Sequence, residues 1–214
     1  MVTITHSGEN IFRLNQILNA AQKHFGMYGL DKTTMREIAS DLNISKGALY
    51  YYFSDKEQLY KAVVEKEQDE FLQLITEKLS IMSDPEEMLL EYIGIRMAHF
   101  RTMLNLSRFR MEDYCNLKPI MGDIWVQFVA KEVEIIEHIL SLGIKNNLFF
   151  IEQPNDVAQM FLDLLKGLRK NELQNKELFY LDQKEYDVLV NKSHAFTLIF
   201  IKGLKYKENK VIID

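Results

Sequence analysis

The sequence predicts an all-α protein with two helical domains. Only 3 prolines and 9 glycines serve 214 residues, whereas a many-stranded sandwich or barrel needs a turn every ~8–12 residues. Apolar residues instead recur at three- and four-residue steps along successive segments, which is the period of a helix with one buried face. With 47% hydrophobic and 27% charged residues, the chain has the composition of a folded globular protein.

The first predicted helix runs from about residue 10 to 26. Gly26 and Gly29 follow it, and glycine accepts the left-handed conformation that commonly ends a helix. Its apolar positions are Ile11, Leu14, Ile17, Leu18, Ala21 and Phe25.

Two short helices are predicted next, capped by Thr33–Thr34 and by Ser45. Asn43 lies between them and tolerates the positive φ of a tight turn. The inward positions are Ile38, Ala39 and Leu42 on the first of these helices, and Ala48, Leu49, Tyr52 and Phe53 on the second.

A fourth helix is expected to open with a capping box at Ser54–Glu57 and to reach about residue 79. Asp84 and Pro85 suit the start of a fifth, since proline favours the first helical position. We predict further helices over about 107–117, from Pro119 to about residue 143, from Pro154, and around Tyr186–Leu204. The predicted domains are residues 1–54 and 55–214.

Two short helices joined by a tight turn form a helix-turn-helix motif. On the outer face of its second helix, Lys46 can reach guanine acceptors, and Gly47 permits close approach to base edges. Tyr50 and Tyr51 suit phosphate oxygens, as does Lys56 at the start of the fourth helix. The same pattern also occurs in proteins that never bind DNA. In that case the tyrosines would form a partly buried aromatic edge, and Lys46 would be an ordinary solvated lysine.

Residues 17–63 resemble the DNA-binding domain of the TetR family of bacterial transcription regulators. The matching positions include Ala20-Ala21, Phe25, Gly29, Thr33-Thr34, Ile38-Ala39, Ile44-Ser45-Lys46-Gly47, Leu49-Tyr50, Tyr52-Phe53 and Lys56-Glu57-Gln58-Leu59. Asn43 departs from the family, which often has glycine there. The resemblance implies base contacts by Lys46 and Gly47. It implies phosphate contacts by Thr34, Tyr50, Tyr51 and Lys56. The predicted DNA-binding set is Thr34, Arg36, Ser45, Lys46, Gly47, Tyr50, Tyr51 and Lys56.

The resemblance also implies a homodimer that binds double-stranded DNA at an inverted-repeat operator. Two helices from each subunit would form a four-helix bundle at the dimer interface; alternatively their apolar faces bury within one chain. We expect a repressor that a small molecule releases, although activation stays open. The predicted dimer residues are Leu164, Leu165, Leu168, Phe196, Ile199, Phe200 and Leu204.

An aromatic and methionine-rich region of the second domain predicts an effector site, because flexible thioethers and flat rings can line an apolar cavity. Such a cavity suits an apolar effector, and an inward-pointing member of the interleaved arginines would suit an anionic one; the alternative is an ordinary core with arginines facing water. The predicted effector residues are Tyr92, Arg96, Met97, Phe100, Met111, Tyr114, Trp125 and Phe128.

The remaining composition excludes several classes. The net charge is −5, but residues 1–63 hold 7 basic and 6 acidic side chains, so the acidity belongs to the rest of the chain. The single cysteine, Cys115, indicates a reducing cytoplasm, and no apolar run approaches the ~18–20 residues of a membrane span. We expect neither enzymatic activity nor a cofactor or metal; the competing function is a small-molecule-binding protein whose DNA-binding domain has lapsed.

Overall fold

Eight α-helices form the regular structure of the residues described. The computed structural model describes residues 3–102, 111–174 and 181–205, with side chains described for residues 9–101, 121–174 and 181–205. In chain order the helices are α1 Thr3–Lys32, α2 Met35–Asp41, α3 Lys46–Tyr52, α4 Lys56–Ser80, α5 Pro85–Thr102, α6 Met111–Lys145, α7 Pro154–Leu173 and α8 Gln183–Leu204. The predicted all-α fold class is confirmed. None of the helices, as far as their residues are described, has the length and apolarity needed to cross a membrane.

The chain divides into two compact units, each with its own hydrophobic core. Of the described residues, the first unit contains 3–70, 102 and 111–125, and the second contains 71–101, 126–174 and 181–205. Helices α4, α5 and α6 therefore contribute residues to both units, α5 only through Thr102. The first unit extends further along the chain than the predicted 1–54 domain, and a functional boundary after residue 54 stays a prediction.

Helix α1 is longer than predicted at both ends. Gly29 has φ 79° and ψ 170°, so it interrupts the helix as expected of glycine, but the chain makes a further turn to Lys32. The Thr33 hydroxyl donates to the backbone oxygens of Gly29 at 2.8 Å and His24 at 3.1 Å. The Gly29 oxygen also accepts from the Thr33 backbone N–H at 3.3 Å, so Thr33 closes the turn after the kink with both its backbone and its side chain.

The predicted capping box at the start of α4 is wrong. Asp55, not Ser54, is the capping residue, because its Oδ1 accepts from the Gln58 backbone N–H at 2.7 Å. The Ser54 hydroxyl donates to Asp55 Oδ2 at 2.9 Å instead. Both residue types favour helix starts, so the sequence left the position uncertain by one residue.

Helix α5 is central to the second unit. Five of its apolar side chains are at most 2% exposed: Met88, Leu89, Tyr92, Ile93 and Met97. Asp84 caps it as predicted, since its Oδ1 accepts from the Glu86 backbone N–H at 2.8 Å.

The predicted break before Pro119 is wrong, because α6 runs without interruption from Met111 to Lys145. Proline removes one helical hydrogen bond without forbidding an interior position. Residues 107–110 of the helix predicted over 107–117 lie outside the described residues.

Helices α7 and α8 pack through a cluster of aromatic rings. The centroid of the Phe161 ring lies 4.5 Å from that of Phe200 and 5.7 Å from that of Phe196. Helix α8 begins with a capping box between Asp182 and Glu185 that the sequence reasoning missed. The ring contacts hold the two helices side by side.

Candidate functional site

The two short helices of the first unit form the predicted helix-turn-helix. Thr34 caps α2 with a full capping box to Glu37, and Ser45 caps α3 by accepting from the Ala48 backbone N–H at 3.1 Å. Asn43 has φ 53° in the turn between them, as expected. The turn closes with a bond from the Ile44 N–H to the Ala39 oxygen at 3.0 Å.

The inner side of the motif is tightly packed. Ile38, Ala39 and Leu49 are at most 2% exposed, and Leu42 and Ile44 pack against the same cluster. Ala48 was predicted to point inward, but it is exposed. In a seven-residue helix, one buried leucine with flanking partly buried residues is sufficient to dock α3 against α2.

The outer side of α3 is open. Tyr50 is 41% exposed and Tyr51 is 81% exposed, while Lys46 and Gly47 are also exposed. The Lys46 ammonium lies 5.3 Å from the centroid of the Tyr50 ring, a cation–π distance. The Tyr51 ring meets the ring of Tyr52 edge to face at 5.4 Å. A cation and two phenols are therefore gathered on one accessible helix face.

Nothing in the fold requires glycine at position 47. A Cβ built there would meet only the Ser45 Oγ within 4 Å, at 3.8 Å, an ordinary van der Waals distance. Gly47 also has no left-handed backbone angle. Glycine favours a helix less than alanine does. Neither packing nor the backbone angle accounts for glycine at this second position of α3.

Two of the other predicted DNA-binding side chains, Lys56 and Thr34, already have hydrogen-bond partners within the protein. The Lys56 ammonium donates to the backbone oxygen of Leu30 at 2.7 Å and lies 3.4 Å from that of Asp31. The Thr34 hydroxyl donates to Glu37 Oε2 at 2.7 Å. This bond and that from the Thr34 backbone N–H lower the pKa of Glu37 below its ordinary value. Arg36 is exposed.

A groove beside α3 contains a further contact that the sequence reasoning missed. The Tyr52 hydroxyl donates to Asn10 Oδ1 at 3.3 Å. The two residues line a surface groove of about 570 Å³ together with Glu9, Phe12, Arg13 and Gln16. The contact joins residues 42 positions apart, so no local sequence signal could have found it.

Comparison with known proteins decides the family. The model of bacterial regulatory proteins of the tetR family matches residues 17–63. The crystal structure of a transcriptional regulator from Cytophaga hutchinsonii has 37% sequence identity and a TM-score of 0.81, over 91% of this chain and 99% of that chain. This chain belongs to the TetR family of bacterial transcription regulators.

Curated relatives of this TetR-family chain agree. An HTH-type transcriptional regulator of Bacillus subtilis, YfiR, is 26% identical over 186 residues, which is 82% of this chain and 84% of the relative. The HTH-type transcriptional repressor Rv1474c of Mycobacterium tuberculosis is 27% identical over 157 residues, or 73% and 80% of the two chains. The matches extend well beyond the helix-turn-helix.

The predicted effector residues of this TetR-family protein fall in both units. Tyr92, Arg96 and Met97 are buried in the second unit, where Phe100 and Phe128 pack against the core. Trp125 instead packs against the core of the first unit. Met111 and Tyr114 belong to α6, but their side chains lie outside the described residues.

The second unit contains a buried charged group whose acidic member was missed. Glu132 Oε1 accepts from Arg96 Nε at 2.8 Å and from the Tyr92 hydroxyl at 2.7 Å. Burial, and then the negative charge of Glu132, raise the pKa of Tyr92. Burial opposes the charge of Arg96, but Glu132 and Tyr92 together keep the pKa of its guanidinium above the ordinary value. The sequence did contain a signal for the burial of Glu132. Phe128 and Ile136 lie one turn before and one turn after it, which places Glu132 on the apolar face of the helix.

The predicted dimer residues divide between surface and interior. Leu165 and Leu204 are buried within the single chain, and Leu168, Phe196 and Phe200 are partly buried against its core. Leu164 and Ile199 are exposed at 46% and 69%. The outward apolar surface of α7 and α8 also includes Met160, Val188 and Leu198, which the prediction did not name.

Proposed function

We propose that this TetR-family regulator is a repressor, that it binds an inverted-repeat operator as a homodimer, and that a small molecule releases it. The observation that supports DNA binding most directly is the exposed outer face of α3, with Lys46 and Tyr50 in contact. Since the opposite side of α3 is packed into the core, this face is free to enter a major groove.

Within that interface, Lys46 and Gly47 are proposed to meet bases, because a lysine reaches guanine acceptors and a glycine lets the helix approach closely. Phosphate contacts are proposed for Tyr50 and Tyr51, and also for Thr34, Arg36 and Ser45. Lys56 is retained as a phosphate contact, but its bond to the Leu30 oxygen gives it a structural role as well.

The homodimer is proposed to form through α7 and α8. Met160 and Leu164 lie one turn apart on α7 and are 52% and 46% exposed, and Leu198 and Ile199 are exposed on α8. Pairing these surfaces across a two-fold axis would bury apolar area that one chain leaves in water. A two-fold dimer presents two copies of α3 about one DNA turn (~34–36 Å) or somewhat more apart, and so requires an inverted repeat.

The effector is proposed to bind in the second unit, among Tyr92, Met97, Phe100 and Phe128. If it favours a dimer whose recognition helices do not match the operator, it weakens DNA binding, and DNA weakens effector binding by the same factor. A coupling free energy of ~1–3 kcal/mol corresponds to a change in affinity of roughly 5–150-fold. We further propose a cytoplasmic regulator without enzymatic activity.

A footprinting experiment on the DNA upstream of the protein's own gene tests the proposal. Full-length protein should protect two half-sites related by inverted symmetry, and a duplex with one scrambled half-site should bind much more weakly. The protein concentrations are kept below those that saturate a duplex of random sequence. If no half-site is protected there, the competing function, in which the DNA-binding domain has lapsed, is favoured.

A further inference from the structure

The buried group of Tyr92, Arg96 and Glu132 has a geometry that bears on the chemistry of the effector. Tyr92 and Arg96 lie one turn apart on α5, and both donate to the same oxygen of Glu132, Oε1, at 2.7 Å and 2.8 Å. The three residues are 0%, 7% and 1% exposed, respectively. The group is thus a charged site enclosed by the core of the second unit.

The second oxygen of the Glu132 carboxylate is not used. Glu132 Oε2 is buried and has no hydrogen-bond partner among the described residues. Buried polar atoms are rarely left in this state, because an unpaired acceptor loses its hydration without compensation. A ligand with a donor group would satisfy this acceptor.

The charge of the group argues against an anionic effector. Arg96 is buried, as an anion site would require, but its Nε is bonded to the Glu132 carboxylate, so its positive charge is already balanced. The atom without a partner, Glu132 Oε2, is a carboxylate oxygen. Such an oxygen repels an anion and accepts from a cation or a neutral donor.

The apolar surroundings suit the remainder of such a ligand. Phe128 precedes Glu132 by one turn of α6, and its ring centroid lies 5.7 Å from that of the buried Phe71. Ring faces attract cations as well as apolar groups. Met97 is buried in the same core cluster and adds a deformable thioether.

We propose that Glu132 Oε2 is the polar anchor of the effector site and that the effector is a small apolar molecule carrying an ammonium group. The ammonium donates to Oε2, and its apolar part packs against the phenyl rings. This inference rests on the proposed function in placing the effector in the second unit, and it replaces the anionic class predicted from the arginines.

Three probes with the same alkyl chain and different head groups test the inference: octylammonium and octanoate below their micellar concentrations, and octanol below its solubility limit. Binding to the full-length protein is measured by calorimetry. We expect octylammonium to bind at least tenfold more tightly than octanoate, with octanol between them. Octylammonium should also weaken binding to the upstream DNA.

The matched variants are Glu132→Gln and Glu134→Gln. Glutamine at position 132 keeps an oxygen for Tyr92 and Arg96 but replaces the open acceptor by an N–H donor. Octylammonium affinity should fall at least tenfold in E132Q and stay unchanged in E134Q, which removes the same charge from an exposed position of α6. Should E132Q fold poorly, the double variant Arg96→Met with Glu132→Gln removes both charges together and must show the same loss.

Tighter binding of octanoate, equal binding of octylammonium to E132Q and wild type, or binding of none of the three probes would overturn the inference. The unliganded protein is tested for DNA binding in parallel. If the protein binds DNA but shows no preference among the three head groups, only the ammonium site is contradicted. If the unliganded protein does not bind DNA, the proposed function is contradicted.

Discussion

Lys46 and Tyr50 stand one turn apart on the outer face of α3, with the lysine ammonium 5.3 Å from the centroid of the tyrosine ring. Both side chains are exposed. The contact restrains a long, flexible cation beside a stiff phenol, so both lie ready on the surface proposed to enter the major groove. The two side chains therefore lose less conformational entropy on binding DNA than unrestrained side chains would.

Replacing Lys46 or Tyr50 with alanine should weaken operator binding at least tenfold without changing the melting temperature. A good base contact, as proposed for Lys46, is worth ~1–3 kcal/mol, and a dimer loses every base or phosphate contact twice. Fluorescence anisotropy with a labelled operator measures the effect. Lys145→Ala removes the same charge at the end of α6 and should leave affinity unchanged; equal losses in K46A and K145A would remove the site assignment.

Gly47→Ala should separate folding from DNA binding. Since the added methyl group has open space within the chain and alanine favours helices, the variant should be at least as stable as the wild type. It should nevertheless bind the operator more weakly, because the methyl group occupies the proposed approach to the bases. Thermal melting and anisotropy on the same sample test both parts, and unchanged affinity would mean that position 47 does not face DNA.

Lys56→Met should lower stability as well as DNA affinity. The ammonium donates to the Leu30 oxygen near the end of α1, and we estimate that losing this partly exposed bond costs ~1 kcal/mol. In a chain of this size that corresponds to a fall in Tm of ~2–4 °C. Lys46→Ala is the comparison, with no change in Tm expected. If K56M melts with the wild type, the bond to Leu30 contributes nothing measurable.

Gly143→Ala should destabilise the second unit. A Cβ at this position would lie 2.0 Å from Cδ2 of Phe149, a ring that is only 1% exposed, and overpacking of this kind costs ~1–3 kcal/mol. Gly94→Ala on α5 is the matched control, because its Cβ meets nothing within 4 Å; it should be neutral or stabilising. Urea unfolding compares the two, and equal midpoints would contradict the packing described at Phe149.

Ile199→Asp should convert the proposed dimer to monomer by placing a charge in the apolar surface of α7 and α8. Ile81→Asp is its control: Ile81 is 84% exposed and lies between α4 and α5, away from both helices in sequence. Sedimentation velocity at matched concentrations distinguishes the species. A dimer that persists in I199D would exclude Ile199 from the interface.

Local features of the DNA-binding motif could be predicted because each depends on residues a few positions apart. The positive φ of Asn43 and the caps at Thr34 and Ser45 follow from the chemistry of single side chains next to their own helices. The one-residue error at Ser54 and Asp55 shows the limit of such reasoning, since adjacent residues competed for one role.

Features set by packing between distant segments could not be predicted in the same way. Glu132 meets partners 36 and 40 positions away, and apolar spacing cannot show which helix faces it. Leu164 and Leu165 are neighbours of the same type, yet one is exposed and the other fully buried. A small change in the rotation of α7 decides that difference, and only the packed structure fixes it.

Salt-dependent binding to the upstream DNA tests the central proposal most directly. Full-length protein should prefer that duplex to a shuffled one, and the logarithm of its affinity should fall linearly with the logarithm of salt concentration. The slope should become less steep when Arg36, a proposed phosphate contact, is replaced with alanine. A flat plot, or equal affinity for the shuffled duplex, would contradict DNA recognition by the outer face of α3.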